Sequence, residues 1–298
     1  MKHQDKINVS NDSGIIYVVA TPIGNLADIS LRAIETLKSV DTILAEDTRH
    51  TMALLRHYGV ATRCFSFHEH NERNQSAQLC ERVAQGATIA LVSDAGTPLI
   101  SDPGFYFVRM ARAKNLRIVP IPGANAMLSA LSVAGLPSDR FIFEGFLPAK
   151  AEMRKKHLIA MQYEQRTMIF YEAPHRLLAT LQCMGEVFGG ARDVVLAREL
   201  TKLYETVKKL SLAEMLQWVS EDRDQKKGEM VLLVAGADKL SQGPQEIEKM
   251  LTILLDEMPL KQAAHVAAKL SGGKKNELYQ LALQLKNNPA IVDGDEMS

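Results

Sequence analysis

Between Ile15 and Ile121, five short apolar, β-rich runs alternate with segments whose apolar residues recur at helical spacing. The runs are 15–20, 42–46, 64–68, 88–92 and 117–121. Between the first two, Leu31, Ile34 and Leu37 fall three apart, ahead of Val40. Strand-helix alternation predicts a parallel sheet with helices on its faces. It also predicts where a ligand goes, because open sheets of this kind bind in the crevice beyond the strand carboxyl ends. Two loops at such ends are rich in turn residues. T-P-I-G-N-L-A-D (21–28) follows the first run, and S-D-A-G-T-P-L-I-S-D-P-G (93–104) follows the fourth.

Pro120, Pro122 and Gly123 then punctuate the chain as a candidate hinge. A helical stretch follows at 124–134, with a G-L-P-S turn at 135–138. A second strand-rich region has candidate strands at 140–146, 167–171, 194–197, 205–209 and 229–235, and helices at 154–161, 175–187 and 213–220. The prediction is two α/β domains with a cleft between them. After a linker at 241–244 the pattern is helical. Ile247, Leu251, Leu254 and Leu255 form one stripe, and segments 260–270 and 275–285 flank Ser271-Gly272-Gly273, which fits a helix-turn-helix. The expected organisation is a loose tail (1–13), an N-terminal α/β domain (14–123), a C-terminal α/β domain (124–240) and a small helical appendage (241–298).

The 298 residues carry 35 basic and 35 acidic side chains, so overall charge does not point to a nucleic acid. The charge is uneven, however. From Met258 to Ala290 five lysines (261, 269, 274, 275, 286) face one acid, Glu277. That stripe fits either a nucleic-acid grip or an ordinary solvated helix pair. Cys64, Cys80 and Cys183 are isolated, with no C-x-x-C spacing, which argues against a disulfide framework or zinc site and for a reducing cytoplasm. No apolar run approaches a membrane span, and residues 1–13 lack the apolar core of a secretory signal.

Several clusters carry possible chemistry. The first loop is neither G-x-G-x-x-G nor G-x-x-x-x-G-K-[ST], which disfavours a dinucleotide or a nucleoside triphosphatase. Its Gly24 permits close backbone approach, and Asp28 is placed to cap the next helix. In the long loop, Ala95-Gly96 leaves the backbone bare, Asp94 offers a carboxylate, and Asp102-Pro103 reads as a helix start. E-D-T-R-H (46–50) sets four ionisable groups at a strand end, to be paired or to act on a substrate. His68 and His70 would share a strand face, a spacing open to a metal, a substrate or plain structure. Arg176, in Y-E-A-P-H-R, could reach an anion, and A-R-E-L-T-K (197–202) ends another strand. No nucleophile elbow is present.

Taken in order, T-P-I-G-N-L-A-D, A-E-D-T-R-H-T, H-E-H-N-E, A-L-V-S-D-A-G-T-P-L-I-S-D-P-G, F-E-G-F-L-P, R-E-L-T-K and K-G-E-M-V resemble the bacterial small-subunit (16S) ribosomal RNA cytidine 2′-O-methyltransferase family. That family lies in the tetrapyrrole methylase superfamily. The resemblance spans about 15–235 and reaches the C-terminal segment through P-L-K-Q-A-A and K-K-N-E-L-Y. It implies S-adenosylmethionine in the inter-domain cleft, held by Pro22, Gly24 and Asn25, by Asp94, Ala95, Gly96 and Thr97, by Gly123, Ala124, Asn125 and Ala126, and by Tyr171 and Glu172. The family usually reads P-G-P, a small residue, then Ala; this chain has P-G-A-N-A. Glu46, Asp47 and His50 become candidate proton acceptors. Arg49, His68, Arg176, Lys202, Lys274 and Lys275 become candidate RNA contacts, and no metal is required. The implied partner is ribosomal RNA or the small ribosomal subunit, with no membrane, and the implied state is a cytoplasmic homodimer. Two other readings fit parts of the pattern: methylation of a corrin or porphyrin precursor, and a non-catalytic ribosome-assembly factor that binds RNA.

Overall fold

The computed structural model describes residues 14–237, 244–271 and 273–287. The first unit runs β1 (Ile15–Val19), α1 (Leu31–Ser39), β2 (Thr42–Ala45), α2 (Thr48–His57), β3 (Cys64–Ser66), α3 (Glu69–Ala84), β4 (Ile89–Val92), α4 (Phe105–Ala113) and β5 (Arg117–Ile121). Its strands form one all-parallel sheet in the order β3-β2-β4-β1-β5. Alternate residues feed opposite layers. Ile16, Leu44, Ile89 and Leu91 pack with Leu79, Val83 and Phe107 from α3 and α4. Val19, Ile43, Ala90 and Val92 pack with Ala33, Leu37 and Leu55 from α1 and α2. A parallel sheet covered on both faces needs continuous apolar strands, which explains why β2 and β4 are buried throughout.

The second unit contains α5 (Ala126–Val133), β6 (Phe141–Phe146), α6 (Ala151–Ala160), β7 (Thr167–Glu172), α7 (Leu177–Phe188), β8 (Asp193–Arg198), β9 (Thr206–Ser211), α8 (Leu212–Glu221) and β10 (Met230–Val234). Its sheet is mixed, in the order β6-β7-β10-β8-β9, with only β6 and β7 parallel. Helices α6, α7 and α8 cover one face over Met168, Phe170, Val194, Leu196 and Leu232. The other face, with Ile169, Val195, Ala197, Val231 and Leu233, is covered by α5 through Ala130 and Leu131 and by Ile23 from the first unit. That face therefore joins the two units.

A third unit packs α9 (Pro244–Glu257), α10 (Leu260–Ser271) and α11 (Lys275–Asn287) around Leu251, Ala267, Leu278 and Ala282. The helical segment expected from Gln245 onward begins at Pro244. The tail 1–13 and residues 241–243 of the expected linker lie outside the described residues.

Three local expectations are corrected. Asp28 does not cap α1; it ends a short 3-10 turn capped by Asn25, and Ser30 caps α1 by accepting from the Ala33 N–H at 3.1 Å. Asp102-Pro103 does not start α4; Gly104 is its N-cap at φ +121°, where Leu91 Cδ2 would lie 2.7 Å from an added Cβ. His68 and His70 do not share a strand, because β3 stops at Ser66 and His68 becomes the N-cap residue of α3. Asn71 causes that stop: its side chain accepts from the His68 N–H at 2.9 Å and donates to the Ser66 carbonyl at 3.1 Å.

Candidate active site

The loops after β1, β4 and β5, three adjacent strands, are tied to one another. Thr21 N–H donates to the Gly96 carbonyl at 2.8 Å, and Gly96 N–H returns a bond to Thr21 at 3.0 Å. The Thr97 hydroxyl donates to the Ala124 carbonyl at 3.1 Å, and Asn125 caps α5 by accepting from Leu128 N–H at 3.0 Å. Gly96 sits at φ +82°, which favours glycine, and an added Cβ would press Ile23 at 3.3 Å.

These loops form one wall of a cavity of about 680 Å³ between the two α/β units. Ala95, Gly96, Thr97, Asp102, Asn125 and Ala126 line it from that side. Phe146, Tyr171, Glu172, Glu199, Lys202, Glu229 and Met230 line it from the second sheet. A smaller cavity of about 340 Å³ adjoins Gly123, Ala124, Asn125 and Asp28. The larger volume is in the range of cofactor sites, and its apolar walls carry a few convergent polar groups. Bare backbone at Ala95-Gly96, carboxylates and the Tyr171 ring suit a cationic, nucleoside-sized cosubstrate.

Backbone strain marks the same place. Among the described residues, five non-glycine residues have positive φ, and four flank this cavity: Leu99 (72°) and Ser101 (67°) on one side, Glu199 (51°) and Thr201 (67°) on the other. Such conformations persist only where surrounding structure enforces them, and they gather at functional sites.

The electrostatics divide into three groups. On the first-unit side, Glu46 and Asp102 both hold their protons more tightly than ordinary carboxyls, with Asp94 as a neighbouring negative charge. Burial, then Asp94, pushes the Glu46 carboxyl up. Burial, with Glu46 and Asp94 adding, pushes Asp102 up to about 6, against a hydrogen bond from Ser93. On the opposite wall, Lys202 Nζ sits 2.9 Å from Glu199 and 3.1 Å from Glu229. Burial works against that ammonium, but the two carboxylates outweigh it and raise its affinity for the proton. Beside them, Glu172 has a fully enclosed side chain. It accepts from Ala173 N–H at 2.8 Å and from the Thr180 hydroxyl, and pairs with Arg176 at 3.2 Å.

The structure sorts the sequence-derived residues accordingly. Ala95, Gly96, Thr97, Asn125, Ala126, Tyr171, Glu172 and Lys202 line the large cavity, while Gly123 and Ala124 line the small one. Pro22, Gly24, Asn25 and Asp94 line neither. Gly24 instead supports Lys202, whose Cγ lies 2.5 Å from where a Cβ would be. Asp94 accepts from the Asp47 N–H at 2.9 Å. Asp47 caps α2 and pairs with Arg49 at 2.7 Å; Arg49 holds its carboxyl down at about 2, which makes it a weak proton acceptor. His50 is exposed on α2. His68 stacks edgewise on His70 at 5.8 Å. Arg176 also donates to the Leu147 and Pro148 carbonyls, so its guanidinium is committed to structure. Lys274 and Lys275 are exposed at the start of α11, with Lys274 3.3 Å from Glu277. Among the described residues, no group of three or more His, Cys, Asp or Glu could hold a metal ion. Sequence reasoning missed Asp102 as a cavity residue and missed Glu199 and Glu229 as the partners of Lys202. The repeated acids in S-D-A-G-T-P-L-I-S-D-P-G were the available signal for Asp102.

This pair of sheets closing on one cavity defines a class. The profile of the Tetrapyrrole (Corrin/Porphyrin) Methylases matches residues 15–216, and that of the RsmI C-terminal HTH domain matches 241–286. The fold is shared with the uroporphyrin-III C-methyltransferase of Thermus thermophilus solved with S-adenyl homocysteine, at TM-score 0.51 and 15% identity over 74% of this chain and 97% of that one. The Ribosomal RNA small subunit methyltransferase I of Pseudomonas aeruginosa is 55% identical over 91% of this chain and 98% of its own length. That of Vibrio cholerae is 51% identical over 94% and 98%. The chain belongs to the ribosomal RNA small subunit methyltransferase I family.

Proposed function

We propose that this protein transfers a methyl group from S-adenosylmethionine to the ribose 2′-oxygen of a cytidine in small-subunit ribosomal RNA. The observation that carries the reading is the union, in one chain, of the inter-domain cavity with a helical unit whose α10–α11 segment exposes five lysines against one acid, Glu277. Lys261, Lys269, Lys274, Lys275 and Lys286 are all exposed, whereas Ala263, Ala264, Ala267, Leu278 and Ala282 are buried. Such a face suits RNA phosphates, and a small macrocyclic substrate would need no such grip.

The bound cosubstrate supplies an activated methyl group on a sulfonium. The protein then has to align the hydroxyl, exclude water and accept a proton. In this reading the Ala95–Thr97 backbone, Asn125, Ala126 and Tyr171, which line the cavity, hold the cosubstrate. The bracketed Lys202 is a fixed cation on the opposite wall, suited to a ribose or phosphate oxygen. No helix of the described residues is long and apolar enough to cross a membrane. The cytoplasmic homodimer implied by the resemblance belongs to the same proposal, and sedimentation of the purified protein tests the dimer.

The deciding experiment mixes the protein with labelled S-adenosylmethionine and small ribosomal subunits from cells lacking the enzyme, then maps the label by mass spectrometry. A methyl on one cytidine ribose is expected. Cosubstrate binding with no label on RNA would overturn the reading.

A further inference from the structure

The segment 97–104 holds more structure than a cosubstrate loop requires. Its backbone takes the left-handed region twice, at Leu99 and Ser101, directly before Asp102, and again at Gly104 directly after Pro103. Non-glycine residues adopt that region only under constraint. The constraints are visible: Leu99 packs against the first-unit core, and the Ser101 hydroxyl lies 3.2 Å from where Gly145 would carry a Cβ. The segment thus reaches from the first sheet to β6 and sets Asp102 in the cavity wall. The groups facing Asp102 are Ser93, which hydrogen-bonds it, the carboxylates Glu46 and Asp94, and the Tyr171 phenol across the cavity. Among the described residues no ion pair reaches Asp102, whereas Asp47 is paired with Arg49, Glu172 with Arg176, and Glu199 with Lys202.

From this placement we propose that Asp102 is the general base of methyl transfer, taking the proton of the ribose hydroxyl as its oxygen attacks. The inference rests on the proposed function. As the new O–C bond forms, the methyl carbon's bond to sulfur breaks, the sulfonium leaves as a neutral thioether, and the hydroxyl proton passes to the Asp102 carboxylate and then to water. A carboxyl pushed up to about 6 is mostly ionised at neutral pH and yet more basic than an ordinary aspartate, which is what such a base requires. Glu46 and Asp94 then act through Asp102 as positioning residues.

The test compares wild type, Asp102→Asn and Glu46→Gln in single-turnover methyl transfer to unmethylated small subunits from pH 5 to 8. Affinity for the product S-adenosylhomocysteine is measured by calorimetry, and carboxyl titration by carbon NMR of the free protein. Wild type should show an acid limb near pH 6, matched by a carboxyl resonance that Asp102→Asn deletes. Asp102→Asn should lose roughly 100-fold or more in rate, the size of a general-base contribution, and lose the limb, with product affinity within a few-fold. Glu46→Gln should move both limb and resonance to lower pH. An unchanged limb in Asp102→Asn, a rate within about threefold of wild type, or a loss of product affinity that accounts for the lost rate would overturn the assignment. If wild type itself leaves RNA unlabelled, the proposed function fails instead, and the NMR titration still reports whether Asp102 is the raised carboxyl.

Discussion

Arg176→Met separates a structural tie from an anion contact. From sequence Arg176 is an anion contact near the cleft. In the structure its guanidinium joins three segments: Glu172 at the end of β7, the Leu147 and Pro148 carbonyls after β6, and its own turn before α7. The Arg176 side chain is 18% exposed and that of Glu172 is 0%, so Arg176→Met strands a carboxylate with no access to water. Breaking a buried pair from one side costs about 3–5 kcal/mol. Glu172 keeps its bonds from Ala173 N–H and Thr180, which places the cost near the lower end, about 3 kcal/mol, or roughly 6–12 °C in Tm. Trp218, the only tryptophan, packs against the core of the second unit and reports its unfolding by fluorescence in urea. Adding Glu172→Gln should recover part of the loss, because it removes the stranded charge. RNA affinity of the folded Arg176→Met variant should keep its salt dependence. A variant of wild-type stability whose salt slope falls by about one would refute the reasoning and make Arg176 a phosphate contact.

Gly24→Ala should push aside the Lys202 stem and loosen its bracket of Glu199 and Glu229, lowering kcat/KM for RNA methylation by roughly 10–100-fold; steady-state kinetics indistinguishable from wild type would show that Lys202 position is immaterial. Deleting residues 241–298 should weaken RNA binding and flatten its salt dependence while calorimetry still registers S-adenosylhomocysteine; normal methylation by the truncated chain would remove the basic helices from the account. Asp102 has a folded pKa raised from 3.8 to about 6, so its charged form costs stability above pH 6, and the cost fades as pH falls toward 4. Asp102→Asn should therefore stabilise the protein by about 1–2 kcal/mol at pH 7–8, after allowing for partial exposure, and by almost nothing near pH 4. A gain independent of pH in urea titrations would rule out the linkage.

What the sequence discloses depends on how far apart the interacting groups lie along the chain. Strands β2 and β4 were legible because a sheet covered on both faces leaves an unbroken apolar run, and the loops after β1 and β4 because they follow such runs directly. The misread start of α3 was also local. Asn71 stands three residues after His68, the spacing at which an N-terminal side chain closes back on the cap residue. The roles of the charges are a different matter. Lys202 and Arg176 look alike in sequence, each a cation past a strand end. One is bracketed at the cavity by Glu199, three residues before it, and Glu229, 27 after; the other is spent on Glu172 and on carbonyls 28 and 29 residues earlier. Asp102 shows the same dependence. Its Asp-Pro pair satisfies the local rule for a helix start, but packing of Leu99 on the core and the tight fit of Gly104 against Leu91 move the cap two residues on. Local preference and tertiary constraint conflict there, and the outcome is strained backbone with an acid that faces two other carboxylates. Such a conflict tends to survive where function depends on it, which is the physical reason to test Asp102 ahead of the acids in E-D-T-R-H.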